Sequence, residues 1–180
     1  MYNDQFFMSL YKTQAMLRPP TPNDGASVFR LIGHCPPLDI NSMYCNLLQC
    51  THFAGTSVTA VQTVNESEEL VGFISAYLVP EREDTLFIWQ VAVDERARGA
   101  GLAGSMLKHI LDRSQCSQIS HLETTITESN KASWALFESL ANKLETTLQK
   151  SVMFDRDIHL ASKHDTEFLV RIGPFKSAQT

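Results

Sequence analysis

The chain has 180 residues, 43% of them hydrophobic, with 20 acidic against 15 basic side chains and a formal net charge of −5. That length supports a single domain with its own core, and no apolar run approaches the ~18 residues a membrane-spanning helix needs. The acidic balance argues against a binder of nucleic acid or of an anionic membrane and mildly favours a cationic small substrate.

Residues 1–14 carry Asp4 early and lack a basic stretch ahead of their short apolar patch, so they read as a tail or arm and not as a secretory signal. Residues 15–174 are the expected domain, with 175–180 as a C-terminal tail. A first short strand, Met16–Arg18, is stopped by Pro19 and Pro20. Helical periodicity covers 24–34 and 42–53, split by Cys35-Pro36-Pro37-Leu38-Asp39-Ile40-Asn41. Strands at 57–64 and 70–79 flank the polar turn 65–69. The apolar run 86–93 (LFIWQVAV) reads as a buried strand. It feeds a charged turn, then glycines, then a helical stripe of Leu102, Met106, Leu107, Ile110 and Leu111. A strand is expected at His121–Thr127, and Ser129-Asn130 can cap a helix over 131–142. Two closing strands fit at 146–154 and Glu167–Ile172. The order is β-α-α-β-β-β-α-β-α-β-β, with no repeats, low-complexity tracts or dividing linker.

Cys35, Cys45, Cys50 and Cys116 form no CxxC pair, and the six histidines form no HExxH or ligand-spaced cluster. Reduced thiols, a cytoplasmic location and no metal are therefore the expectations. A small buried thiol is a commoner role for each cysteine than catalysis.

The chemistry concentrates in Arg98-Gly99-Ala100-Gly101-Leu102-Ala103-Gly104. A strand that enters a helix through a glycine turn presents backbone N–H groups and the positive end of the helix dipole to an anion, so a phosphate or pyrophosphate is the expected guest. The P-loop pattern is absent. Gly99-x-Gly101-x-x-Gly104 does match GxGxxG literally, and Glu123 roughly fills the acidic position expected about 20 residues on in a dinucleotide fold. That fold would place the motif at the start of its first βαβ unit, however, and here hairpin-style strands precede it.

Arg98-x-x-Gly101-x-Ala103 after a VAVD strand resembles the acyl-CoA pyrophosphate loop of the GNAT superfamily of N-acetyltransferases. The resemblance implies the GNAT fold, an α/β (α+β) architecture with a central mixed, mostly antiparallel sheet flanked by helices. It also implies acetyl-CoA as co-substrate, with the loop amides (Arg98, Gly99, Ala100, Gly101, Leu102, Ala103, Gly104) on the pyrophosphate and the strand edge Val91, Ala92 and Val93 paired with the pantetheine arm. Asn130, Ser133 and Phe137 stand where the superfamily commonly carries Asn, Ala and Tyr. The Asn usually bonds pantetheine or adjacent chain, and the Tyr often protonates the departing thiolate. Phe137 has no proton to give, which leaves the general acid open between Tyr44, another residue and water.

Four segments in order, PPLDINSxYCxLLxCxHF, LFIWQVAVD, TESNKASWxLF and HxTExL, resemble the L-2,4-diaminobutyrate acetyltransferases of ectoine biosynthesis and osmoadaptation, from about residue 17 to 173. The family implies acetyl transfer to the γ-amine of diaminobutyrate and a homodimer. The acceptor, a small diamino acid, needs anionic groups at its ammonium ends, and the attacking amine, whose reference pKa is about 10, must lose a proton. The resemblance points to Asp39 and Glu167 as the carboxylates, with Asn41, Tyr44 and Trp89 completing the acceptor site. The bland alternatives are that Asp39 caps the following helix and that Glu167 is a solvated strand end. Rival functions are acetylation of another small amine or amino acid, and a non-catalytic acyl-CoA-binding module.

Overall fold

The computed structural model describes residues 15–176 apart from Asn65. The expected arm, residues 1–14, lies outside the described residues. Among the described residues seven strands form one mixed sheet in the order β1-β2-β3-β4-β5-β7-β6, accompanied by four α-helices. The strands are β1 Met16–Arg18, β2 Val58–Val64, β3 Ser67–Val79, β4 Arg82–Val93, β5 His121–Thr127, β6 Leu148–Phe154 and β7 Glu167–Ile172. The helices are α1 Gly25–Gly33, α2 Met43–His52, α3 Leu102–Leu111 and α4 Lys131–Lys143. Every expected element is present, in the expected order.

The boundaries differ where charged residues occupy turns or strand ends. β3 begins at Ser67, and β4 begins at Arg82, four residues before the apolar run. Both turns place a glutamate in the left-handed region, Glu66 at φ 65° and Glu81 at φ 66°, where glycine or asparagine is the usual signal. Ahead of α1, Asp24 sits in a 3-10 turn. Burial alone would raise its carboxyl, but the bidentate pair with Arg18 (2.8 Å to each oxygen) and the Thr21 N–H hold it below the ordinary range.

The chain divides into two compact units. Of the described residues, one comprises those through Ala76 together with Gln90–Ile110, and the other Tyr77–Trp89 together with those from Leu111 onward.

In the first unit β1, β2 and β3 pair antiparallel, with a bulge between Ala60 and Val61. Val28, Leu31 and Ile32 of α1, with Cys35 and Cys50, form one buried cluster with Phe73 and Ala92. A Cβ at Gly72 would come within 2.9 Å of Met106 Sδ, so α3 lies close over the opposite face of β3.

In the second unit β4 and β5 pair in parallel from Thr85↔His121 to Ile88↔Thr124, and β7 pairs antiparallel with both β5 and β6. Strand alternation gives this sheet one apolar face, from Leu86, Ile88, Leu122, Ile126, Val170 and Ile172, all buried. The other face carries Phe87, Glu123 and Arg171 in one row and Thr127 opposite Glu167 in another. Glu123 is 3% exposed and takes Arg82 in a bidentate pair (2.7 and 2.9 Å) as well as Arg171. Its carboxyl is raised by burial and lowered further by the two guanidiniums, for a net value below the ordinary range. Glu123 is thus committed to an internal ion cluster, which removes it as the ribose-binding acid of the dinucleotide reading. Phe175 is buried, and its N–H donates to Ser120 O at 2.9 Å.

Candidate active site

The glycine turn in the first unit has the geometry an anion needs. Gly99 and Gly101 adopt φ of 78° and 75°, and a Cβ built on either would meet nothing within 4 Å, so the backbone is open to a ligand. α3 starts at Leu102, and Ser105 N–H closes the bond back to Gly101 O at 3.0 Å. Leu102, Ala103 and Gly104 therefore form the first turn, whose N–H groups have no partner within the helix. Arg98 turns back and donates Nε to Val93 O at 2.9 Å, which ties the loop to the end of β4. This open backbone at a helix N-terminus suits an anion, the kind of guest expected of the turn.

The strand leading to the turn is more constrained than expected. Val93 O accepts from both Arg98 Nε and Cys35 Sγ (3.4 Å), so this carbonyl of the expected pantetheine edge is already engaged. The parallel ladder with β5 ends at Ile88, which leaves Val91 and Ala92 outside that register.

The segment 36–42, expected to bind the acceptor, lies in the same unit. Asp39 and Asn41 are brought together by a residue that the sequence reading did not assign, Gln90. Its Nε2 donates to Asp39 O at 2.9 Å, and its Oε1 accepts from Asn41 Nδ2 at 3.2 Å. The N-cap of α2 is Ser42, whose Oγ accepts from Cys45 N–H at 3.1 Å. The helix-capping alternative for Asp39 is thereby overturned, because Ser42 fills that position and leaves the exposed Asp39 carboxylate to other partners. Tyr44, 69% exposed, stands in the first turn of α2.

In the second unit Trp89 packs edge-on against Tyr77 at 6.5 Å between centroids, and Tyr77 stacks on Phe87 at 5.2 Å. These contacts place Trp89 on the Phe87 and Glu123 face. Glu167 shares that face through Thr127↔Glu167 and Glu123↔Arg171, two rows apart in register. Lys150 Nζ lies over the rings of Phe168 (3.8 Å) and Trp134 of α4 (5.0 Å), so Phe168 faces α4 and its neighbour Glu167 faces away from it. Glu167 is half-buried at the start of β7, so the solvated-end alternative describes it poorly.

Asn130 is the N-cap of α4, its Oδ1 accepting from Ser133 N–H at 3.1 Å, as its sequence position suggested. Phe137 is 2% exposed and belongs to the core. Burial pushes the Cys50 thiol up to about 12 and also raises Cys45 and Cys116, which disfavours the thiolate that nucleophilic catalysis requires. Among the described residues no group of three or more His, Cys, Asp and Glu could hold a metal ion. No helix there is long and apolar enough to cross a membrane.

Known proteins share this fold. The acetyltransferase (GNAT) family model matches residues 28–141. The L-2,4-diaminobutyric acid acetyltransferase of Methylotuvimicrobium alcaliphilum is 58% identical over 163 residues, 91% of this chain and 92% of the relative. That of Vibrio parahaemolyticus is 50% identical over 157 residues, 87% of this chain and 84% of the relative. Among solved structures, the diaminobutyrate acetyltransferase EctA of Paenibacillus lautus, in complex with L-2,4-diaminobutyric acid and coenzyme A, superposes with a TM-score of 0.84 at 35% identity. That match covers 91% of this chain and 96% of the other. The chain belongs to the acetyltransferase (GNAT) family and, within it, to the L-2,4-diaminobutyric acid acetyltransferases.

Proposed function

We propose that the chain transfers the acetyl group of acetyl-CoA to the γ-amine of L-2,4-diaminobutyrate, giving N4-acetyl-L-2,4-diaminobutyrate, a step of ectoine biosynthesis. The observation that carries this reading is the 58% identity, over nine-tenths of both chains, to an enzyme of that name. The open glycine turn at the head of α3 supports the donor half of the reaction.

Each residue takes a role that its geometry allows. The N–H groups of residues 98–104 hold the pyrophosphate, and Val91 and Ala92 offer the strand edge to pantetheine. Asn130 and Ser133 support the same arm. Asp39 supplies an anionic contact to an ammonium group, Asn41 and Tyr44 line the acceptor, and Trp89 forms its apolar wall. Glu167 takes the proton of the attacking amine, directly or through one water. The neutral amine then attacks the thioester carbon. The N–C bond forms, the C–S bond breaks, and β4 N–H groups stabilise charge on the carbonyl oxygen. Phe137 is excluded as the acid that protonates the thiolate, so Tyr44, another residue or water supplies that proton, and the proton that the attacking nitrogen sheds as the amide forms passes to that group or to solvent. The enzyme acts in the cytoplasm and as a homodimer. β6 supports the dimer as an edge strand whose Val152, Met153 and Phe154 are exposed.

Buried Phe137, in place of an acid, favours one alternative, a module that binds acyl-CoA without turnover. Thiol release with diaminobutyrate, spermidine, lysine peptides and other small amines separates the readings. Release that is fastest with diaminobutyrate is expected. Coenzyme A binding without release on any amine would establish the alternative, and preference for a different amine would reassign the acceptor.

A further inference from the structure

Gln90 is the only residue of the run 86–93 that is neither apolar nor aromatic, and it is 7% exposed. A buried primary amide must satisfy both donors and an acceptor or bear a desolvation cost. Gln90 satisfies its acceptor and one of its donors on the acceptor segment, through Asn41 Nδ2 and Asp39 O. The orientation of the amide follows from the partners. Asp39 O only accepts, so Nε2 must face it, and Oε1 then requires the donor end of the Asn41 amide.

The same segment has a second attachment to the same strand. Cys35 Sγ donates to Val93 O at 3.4 Å, and Leu38 N–H donates to Cys35 O at 3.0 Å. The stretch from Cys35 to Asn41 is therefore pinned to β4 at both ends, at Gln90 and at Val93. These anchors bracket Val91 and Ala92, the residues assigned to the donor substrate. A slack segment would have to order itself each time the acceptor bound, at a cost in affinity, whereas a pinned one is already in place.

We propose that Gln90 is a positioning residue that registers the acceptor segment on the acetyl-CoA strand and thereby sets the affinity for the diamino acid. This inference rests on the function proposed above. In this role Gln90 acts through Asp39 and Asn41, the two residues its amide holds.

The test is Gln90→Met, which keeps the length of the side chain and removes both polar ends, examined beside Asn41→Ala, which removes one bond from a half-buried loop position. For Gln90→Met the KM for diaminobutyrate should rise about tenfold or more, the usual consequence of losing two buried hydrogen bonds that order a binding segment, while the Kd for coenzyme A stays within about twofold. Backbone amide exchange across 38–42 should accelerate in parallel. Asn41→Ala should show a smaller shift of the same kind, and the double variant should fall short of the product of the two, because both break one clip. A folded Gln90→Met with unchanged KM and unchanged exchange would overturn the proposal, as would equal losses of acceptor and coenzyme A affinity. Should Gln90→Met fail to fold, unchanged KM and exchange in Asn41→Ala would overturn it. Wild-type protein inert toward diaminobutyrate would strike the functional reading instead, and the exchange comparison would still decide whether the clip exists.

Discussion

The glycine turn after β4 and the acceptor segment 36–42 are both anchored to the same strand, yet they are built in opposite ways. The turn is made of backbone, with two glycines at positive φ and the first turn of α3 behind them. The acceptor segment is made of side chains, held by the amide of Gln90 and the thiol of Cys35. A backbone site tolerates many side chains but few changes of conformation, whereas a side-chain site depends on single atoms. Substitutions should therefore fail differently in the two regions.

The largest expected effect is in the turn. Gly101→Asp puts a carboxylate where pyrophosphate charge belongs and a Cβ at φ 75°, where free space makes the strain cost only about 1 kcal/mol. Coenzyme A affinity should fall about 10³-fold by calorimetric titration, through loss of several charge-assisted N–H contacts. Wild-type affinity in a folded variant would remove the turn from the donor site.

Glu167→Gln tests the side-chain chemistry. It keeps the size and some hydrogen bonding but removes the basic site, so kcat/KM for diaminobutyrate should fall about 10²-fold with coenzyme A binding little changed. Raising the pH should partly rescue it, because more of the amine is then already neutral. Near-normal turnover with an unaltered pH profile would leave Asp39 as the carboxylate to test.

Glu123 gives the contrast of a carboxylate on the same face as Glu167 that serves structure. Glu123→Gln should cost about 2 kcal/mol of stability, below the usual range for breaking a buried ion pair because Arg82 and Arg171 keep solvent contact. The folded protein holds this carboxyl below its ordinary 4.5. Its stabilisation is therefore complete above about pH 4.5 and is lost as pH falls through the lower folded value. Urea titrations at several pH values should show the acid-side loss in the wild type and a smaller one in the variant.

The smallest effect is expected at Asp39→Asn. It leaves the backbone carbonyl on Gln90 in place and removes only an exposed charge, so KM for the acceptor should rise about tenfold with the donor unaffected. A change in coenzyme A affinity would contradict the separation of the two regions.

These differences also explain what the sequence disclosed. Glycines at 99 and 101 announce the turn, because only a few residue types adopt positive φ cheaply, and the apolar periods of α1–α4 and the strands fix the order of elements. Turns that use Glu66 and Glu81 at positive φ carry no such signal, so β3 and β4 reach further than their apolar runs suggest. Asn130 was legible as a cap from local spacing, whereas Ser42 took the α2 cap that Asp39 also suited. Gln90 left a clue, a lone amide inside an apolar strand, but its partners lie about 50 residues earlier, and no local rule connects them. The commitment of Glu123 to two arginines was hidden for the same reason.

The central claim is acetyl transfer to one nitrogen of one diamino acid, and the most direct measurement is NMR assignment of the product formed from acetyl-CoA and L-2,4-diaminobutyrate. The account predicts a single product acetylated at the γ-nitrogen, formed far faster than any product from spermidine or a lysine peptide. Acetylation at the α-nitrogen, or equal rates on all three acceptors, would contradict it.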